Sequence, residues 1–177
     1  MLKSVLKLGK KQIAKRFNLN NPSATKAFLN LYSPYVGAGV KVLEVNYDAG
    51  FIKVSMPLTW RNKNIVGTQF GGSLYSMTDP FFMTLLMQKL GSDYVVWDKA
   101  ACIDFVKAGT SDVFATFQID HQEIEMVKEL AKDGAAVFRD YEVDIVDVKG
   151  EIVAKVKKTL YIRLRAFSKS AGFKSRF

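Results

Sequence analysis

The chain of 177 residues has one cysteine, one histidine and four prolines. Cys102 alone cannot form an intrachain disulfide or a cysteine metal site, so a reducing, cytoplasmic setting is the default expectation. With His121 as the single histidine, most zinc sites and every two-histidine mechanism are excluded. No apolar run approaches the ~20 residues of a membrane-crossing helix. The basic start, "MLKSVLKLGKKQIAKRF", has no unbroken apolar core and no small-residue cleavage site, and is expected to stay uncleaved. Acid is missing from both ends. Residues 1–43 and 152–177 each carry eight Lys/Arg and no Asp or Glu; the remaining 10 basic and all 17 acidic residues lie in 44–151, a net of −7 there. Basic ends on an acidic body point to an anionic partner at the ends, either a phosphorylated cofactor, a lipid surface or nucleic acid, or else to solvated tails. The nucleic-acid option lacks support, since there is neither an aromatic RNA-binding signature nor a helix-turn-helix pattern.

What is present reads as one domain. With hydrophobic residues at 49% and charged residues at 24%, the composition is globular. Three spans are expected: a basic amphipathic segment (1–22), a folded domain (23–165) and a basic tail without periodicity (166–177). In the first, Leu2, Leu6, Ile13 and Phe17 share a helical face that can dock on the body or lie on a membrane surface. Ser23 is a candidate N-cap for a short helix ending before Pro34. Two alternating runs around Asp48-Ala49-Gly50 predict a hairpin, and a long apolar helix is expected over about 70–90, closed by Gly91. Alternating strands follow over 94–109 and 111–120, then a charged amphipathic helix ending at Gly134 and a second hairpin turning near Lys149-Gly150. Hairpin-joined strands make an antiparallel sheet, and one very apolar helix needs that sheet to cover it. The expectation is an α+β fold, about six strands wrapped around one helix.

The informative stretch is "NKNIVGTQFGGSLYSMTDP", residues 62–80. A Gly71-Gly72 pair opens the apolar helix, and Asp79 sits within it just before Pro80. Backbone N–H groups at a helix start can receive a developing oxyanion, and glycine lets a carbonyl come close. A carboxylate in apolar surroundings suits a base or nucleophile. Gly71 and Asp79 lie about 12 Å apart at ~1.5 Å per helical residue, so one subunit's Asp79 serves its own Gly71 poorly. Two antiparallel helices across a dimer interface would bring each Asp79 to the partner's helix start. Pro80 kinks the helix there, or else Asp79 simply caps a second helix.

These residues resemble the motif of small hotdog acyl-CoA thioesterases of the phenylacetate-pathway type. That motif is Asn, two residues, Gly, two residues, His-Gly-Gly, then six residues to Asp. Asn64, Gly67, Gly71, Gly72 and Asp79 match it, while Phe70 stands where the family has His. "VWDK" (96–99) and "DFVKAG" (104–109) are similar to an uncharacterised, DUF4442-like branch of hotdog proteins, over roughly 24–165. The resemblance implies a hotdog fold and hydrolysis of an acyl-CoA or acyl-carrier-protein thioester in fatty acid metabolism. It implies a homodimer or dimer of dimers with a shared site, and no cofactor besides the coenzyme A of the substrate. Asp79 would act as base or nucleophile, the Gly71 amide as oxyanion donor, and Asn64 as the holder of water or carbonyl. Gly72, Phe70 and Thr68 would line the substrate, and Arg163 and Arg165 would meet carrier phosphates. Loss of the motif His leaves a second reading, a non-catalytic acyl-binding module. His121 is read as a surface turn residue, Cys102 as a buried thiol, and Asp98 with Lys99 as a dimer-interface ion pair, with a role in the site as the alternative. Trp60-Arg61 could reach a phosphate. Phe81, Phe82, Met83, Leu85, Leu86 and Met87 are read as core that could also line an acyl tunnel.

Overall fold

The structure, a computed structural model, describes residues 20–168. The amphipathic face of Leu2, Leu6, Ile13 and Phe17, and most of the basic tail, lie outside the described residues. Two short helices come first, α1 (Pro22–Leu31) and α2 (Ser33–Ala38). The cap of α1 is Asn21 rather than Ser23: its side chain accepts from Ser23 N and Ala24 N, because Pro22 already occupies the first helical turn. The hairpin of β1 (Lys41–Asn46) and β2 (Phe51–Met56) turns where expected, with Gly50 at φ 71°.

The expected helical span is present in two pieces, α3 (Gly71–Ser76) and α4 (Phe81–Leu90), interrupted by residues 77–80. Proline at 80 cannot give the N–H that continuity requires. Asp79 does not cap α4, whose N-cap is Pro80 without a side-chain hydrogen bond. The rest is β3 (Tyr94–Phe105), β4 (Val113–Gln118), α5 (His121–Ala131), β5 (Val137–Asp147) and β6 (Ile152–Leu164). A 3-10 turn, Arg165–Phe167, follows, and Phe167 packs on Gly134, where a Cβ would lie 2.3 Å from the ring. His121 opens α5 rather than sitting in a turn; Asp120 is the cap, accepting from Glu123 N.

All strand pairs are antiparallel, in the order β1-β2-β4-β5-β6-β3. One face of the sheet wraps α4. That helix is apolar nearly all round, so it must be buried, and Phe81, Phe82, Leu85, Leu86 and Leu90 are. The rings of Phe81 and Phe82 lie 4.8 and 5.1 Å from that of Phe117 on β4, and Phe82 stacks on Tyr141 of β5 at 5.2 Å. Each such buried side chain contributes about 1.5–3 kcal/mol. In β6 the inward positions are Val156, Lys158, Leu160 and Ile162, all buried. One of those four is a lysine. Among the described residues no helix is long and apolar enough to cross a membrane.

Candidate active site

A cleft of about 340 Å³ opens beside the start of α3, lined among others by Asn64, Thr68, Gln69, Gly71, Phe105 and Gly109. Its floor is a tight turn. Asn64 Oδ1 accepts from Val66 N (3.1 Å) and Thr68 N (3.0 Å), while its Nδ2 donates to Thr68 Oγ1 (2.9 Å). Gly67 takes φ 88° inside that turn. Gln69 is buried and braces the wall, its Nε2 donating to Met56 O (3.0 Å) and Ser111 O (3.1 Å). Gly71 and Gly72 then begin α3, where their N–H groups have no preceding turn to bond. Two rings lie on the pair. A Cβ on Gly71 would meet Phe105 Cζ at 2.9 Å, and one on Gly72 would meet Phe70 Cε1 at 2.5 Å, so only glycine fits under either ring. Phe70 itself is exposed, standing against the helix it precedes.

Asp79 is elsewhere. It is not among the residues lining its own subunit's cleft. Its backbone carbonyl accepts from the Tyr35 hydroxyl of α2, and its side chain is half exposed. Beneath it sits Lys158, whose side chain is 1% exposed; its Nζ donates to Asp79 Oδ1 at 3.3 Å and lies 2.9 Å from Asp98 Oδ2. The Tyr75 ring of α3 covers the ammonium at 5.2 Å. Burial opposes the charged form of Asp79, yet the hydrogen bond with Asp98 and the Lys158 ammonium outweigh it and hold its carboxyl below the ordinary value. For Asp98, burial and then the bond to Asp79 win over Lys158, and its carboxyl is pushed up to about 6. Lys158 is raised: burial alone would lower it, but the bond to Asp98 and both carboxyl charges prevail.

The expected partner of Asp98 is therefore corrected. A register shift between Asp98 and Ala100 leaves Lys99 unpaired in the ladder and exposed, and within the chain Asp98 pairs with Lys158 instead. Cys102 is also corrected, from buried to exposed, because β3 is an edge strand. Lys158 carried a signal in the sequence, a lysine at an inward phase between Val156 and Leu160. Gln69, Tyr35 and Phe105 carried none that a local pattern would show.

Of the expected site residues the structure places Asn64, Thr68 and Gly71 on the lining of the cleft, with Phe70 and Gly72 adjoining Gly71 in the chain but not lining it. It does not bring Asp79 to them within one chain, nor Arg163 and Arg165. Arg163 Nε donates to Gly134 O (2.8 Å), and Arg165 donates to Ser92 O (2.8 Å) and Tyr94 O (3.0 Å). In the β3–β6 ladder Arg163 lies opposite Val95 and Ala154 opposite Phe105. The ten steps from Val95 to Phe105 span roughly 33 Å at ~3.3 Å each. Arg61 lies over the exposed Trp60 ring at 5.5 Å. Among the described residues no group of three His, Cys, Asp or Glu could hold a metal ion.

The chain is similar to several solved structures. A Pseudomonas aeruginosa protein of unknown function, described as a probable thioesterase, superposes with a TM-score of 0.72 at 18% identity, covering 81% of this chain and 97% of its own. A Chlorobaculum tepidum protein of unknown function gives 0.65 at 16%, covering 81% and 96%. A Haemophilus influenzae thioesterase gives 0.60 at 13%, covering 81% and 91%. At such identities the likeness speaks for the fold alone, and the fold is the hotdog arrangement expected from the motif. Among curated proteins none matches the chain. The family model described as a domain of unknown function, DUF4442, matches residues 22–162, and the chain belongs to that family.

Proposed function

We propose that the protein hydrolyses an acyl thioester, carried on coenzyme A or an acyl-carrier protein, at a site that two subunits build together. The observation that carries the reading is Asp79, a half-exposed carboxylate kept ionised and aimed by an ammonium buried beneath it. In the reaction Asp79 takes a proton from water as the water oxygen attacks the thioester carbonyl. The carbonyl oxygen gains charge facing the Gly71 N–H, with Gly72 beside it. Collapse breaks the C–S bond and returns the proton to the departing thiolate. Asn64 shapes the turn that presents Gly71, since both ends of its amide are engaged in that turn. Thr68 and Phe70 face the acyl thioester. The two similar structures described as thioesterases support the reaction class, and a cytoplasmic location suits the exposed thiol of Cys102.

The sharing of the site is supported by the β3 edge. Lys99–Cys102, Asp104 and Phe105 are exposed, and no strand of the described residues pairs with that side. A second copy laid antiparallel on this run, centred on Cys102, would set Asp98 opposite the partner's Val106. Val95 would then face the partner's Gly109. Asp79, beside Asp98, would arrive at the partner's cleft, and Arg163, beside Val95, at its mouth.

The test is a panel of thioesters from short to long acyl chain, with wild type and Asp79→Asn. Turnover is expected to fall at least ~10²-fold in the variant, the low end of acid–base contributions. Equal turnover in the two proteins overturns the reading. Tight acyl-CoA binding without hydrolysis would favour the acyl-binding module, which Phe70 in place of the motif histidine already suggests.

A further inference from the structure

The proposed hydrolysis uses one of three charged groups that meet beneath the turn at residues 77–80. Lys158 from β6 touches both Asp79 (3.3 Å) and Asp98 (2.9 Å), so the two carboxyls converge on one ammonium and each shifts the titration of the other. Asp98 Oδ1 is buried and meets no donor. An acceptor oxygen shut away without a donor costs free energy, and two carboxylates against one ammonium leave excess negative charge beside that buried oxygen. One proton relieves both, and Asp98 is the group placed to hold it.

We propose that Asp79 and Asp98 act as a single proton-sharing pair, fixed by Lys158 as positioning residue, so that the proton drawn from the attacking water is held between two carboxyls rather than on one. This rests on Asp79 being the base. A lone carboxylate pressed against an ammonium is a weak base near neutrality, since the ideal base has its pKa near the working pH. Burial and the bond to Asp79 push Asp98 up to about 6. The two groups interact strongly, so their two titration steps belong to the pair, and the upper step places the base close to neutrality.

The bookkeeping of the step closes. A lone pair on the water oxygen forms the new C–O bond, its proton passes to the pair, and the carbonyl π electrons move to oxygen. On collapse those electrons restore C=O, the C–S electrons leave on sulfur, and the pair returns the proton there. The other groups facing the pair do not compete. The Tyr35 hydroxyl of α2 donates to the Asp79 carbonyl, and burial, then the charge of Asp79, raise it so that it stays protonated. The Tyr75 ring covers Lys158, and Lys99 is exposed.

The experiment combines kcat/KM against pH with carbon-13 NMR titration of the aspartate carboxyls in the intact protein. In the wild type an acid limb and one aspartate should both titrate near 6, the value to which Asp98 is pushed. Asp98→Asn keeps a donor toward Asp79 but holds no shared proton. Its acid limb should move down by about one unit or more and its kcat fall roughly 10-fold or more, with KM nearly unchanged. In Asp79→Asn the Asp98 signal should shift down as the like charge disappears. Lys158→Met should move both steps up, and steps that stay in place would overturn its part. An Asp98 carboxyl that titrates with the ordinary carboxylates overturns the pair whatever the activity. If instead the spectrum shows the pair while Asp79→Asn hydrolyses as fast as wild type, the reading of Asp79 as base fails, so the two failures are told apart.

Discussion

The sheet has two edges, and they are finished differently. The β1 edge is six residues long, carries a register shift between Val42 and Glu44, and lies under α1. There a single amide, Asn30, donates to Val42 O (3.0 Å) and accepts from Val42 N (2.8 Å), occupying the outward groups of the strand. The β3 edge is twelve residues long, exposed from Lys99 onward except at Ile103, and runs out into the exposed Phe105 and, just beyond the strand, Val106. Edges of that length with apolar ends invite another strand, and proteins normally bulge, charge or cover them. One edge is closed from within the chain. The other, in our reading, is closed by a second copy, and the reaction needs that copy.

The strongest way to break the contrast is a charge at the centre of β3. Cys102→Lys would set two lysines opposite each other across the proposed two-fold. Light scattering at micromolar concentration should then show a dimer turning into a monomer, with hydrolysis falling at least ~10²-fold because each cleft loses its base. The wild-type thiols, facing each other at the ~5 Å spacing of opposed strands, should crosslink with a short bis-maleimide. A wild-type monomer, or a fully active monomeric variant, defeats the shared site. At the other edge Asn30→Ala should leave assembly and kcat alone. It should lower stability in urea by about 1–3 kcal/mol, the cost of leaving partly buried backbone groups unbonded; a change in assembly would mean the edges are coupled. The smallest effect concerns carrier phosphates. Exposed charge contacts are screened over ~8 Å at physiological ionic strength. Added salt should raise KM for acyl-CoA a few-fold with kcat unchanged, and Arg163→Ala with Arg165→Ala should flatten that dependence. A KM indifferent to both removes these arginines from the site.

How much of this was written locally in the chain differs by residue. Strand and helix order followed from period, and Gly50, Gly91, Gly134 and Gly150 mark element ends at positive φ as their positions suggested. The motif from Asn64 to Asp79 was legible as spacing, and the break at Pro80 as chemistry. The Asp98–Lys158 pair was not, because it joins residues from β3 and β6 that only the strand order makes neighbours. Lys158 was counted with the basic end of the chain, although its phase between Val156 and Leu160 already turned it inward. Cys102 shows the same limit. An alternating strand implies a half-buried side chain, but whether a strand lies at the edge is decided by pairings that no local pattern contains.

The walls of the cleft are held by side-chain amides more than by strand ladders. Asn62 ties Pro57 O to Thr59 N, Asn64 closes the turn to Thr68, and Gln69 bridges Met56 O and Ser111 O. Amides of Asn and Gln are heat-labile, and hydrolysis of one replaces a donor with a negative acceptor. At Asn62 and Gln69 that new charge would face carbonyl oxygens, so attraction would become repulsion. Exchanging either amide for its acid would therefore unseat the cleft wall while the strand ladders stayed intact, so the site can be lost without the fold.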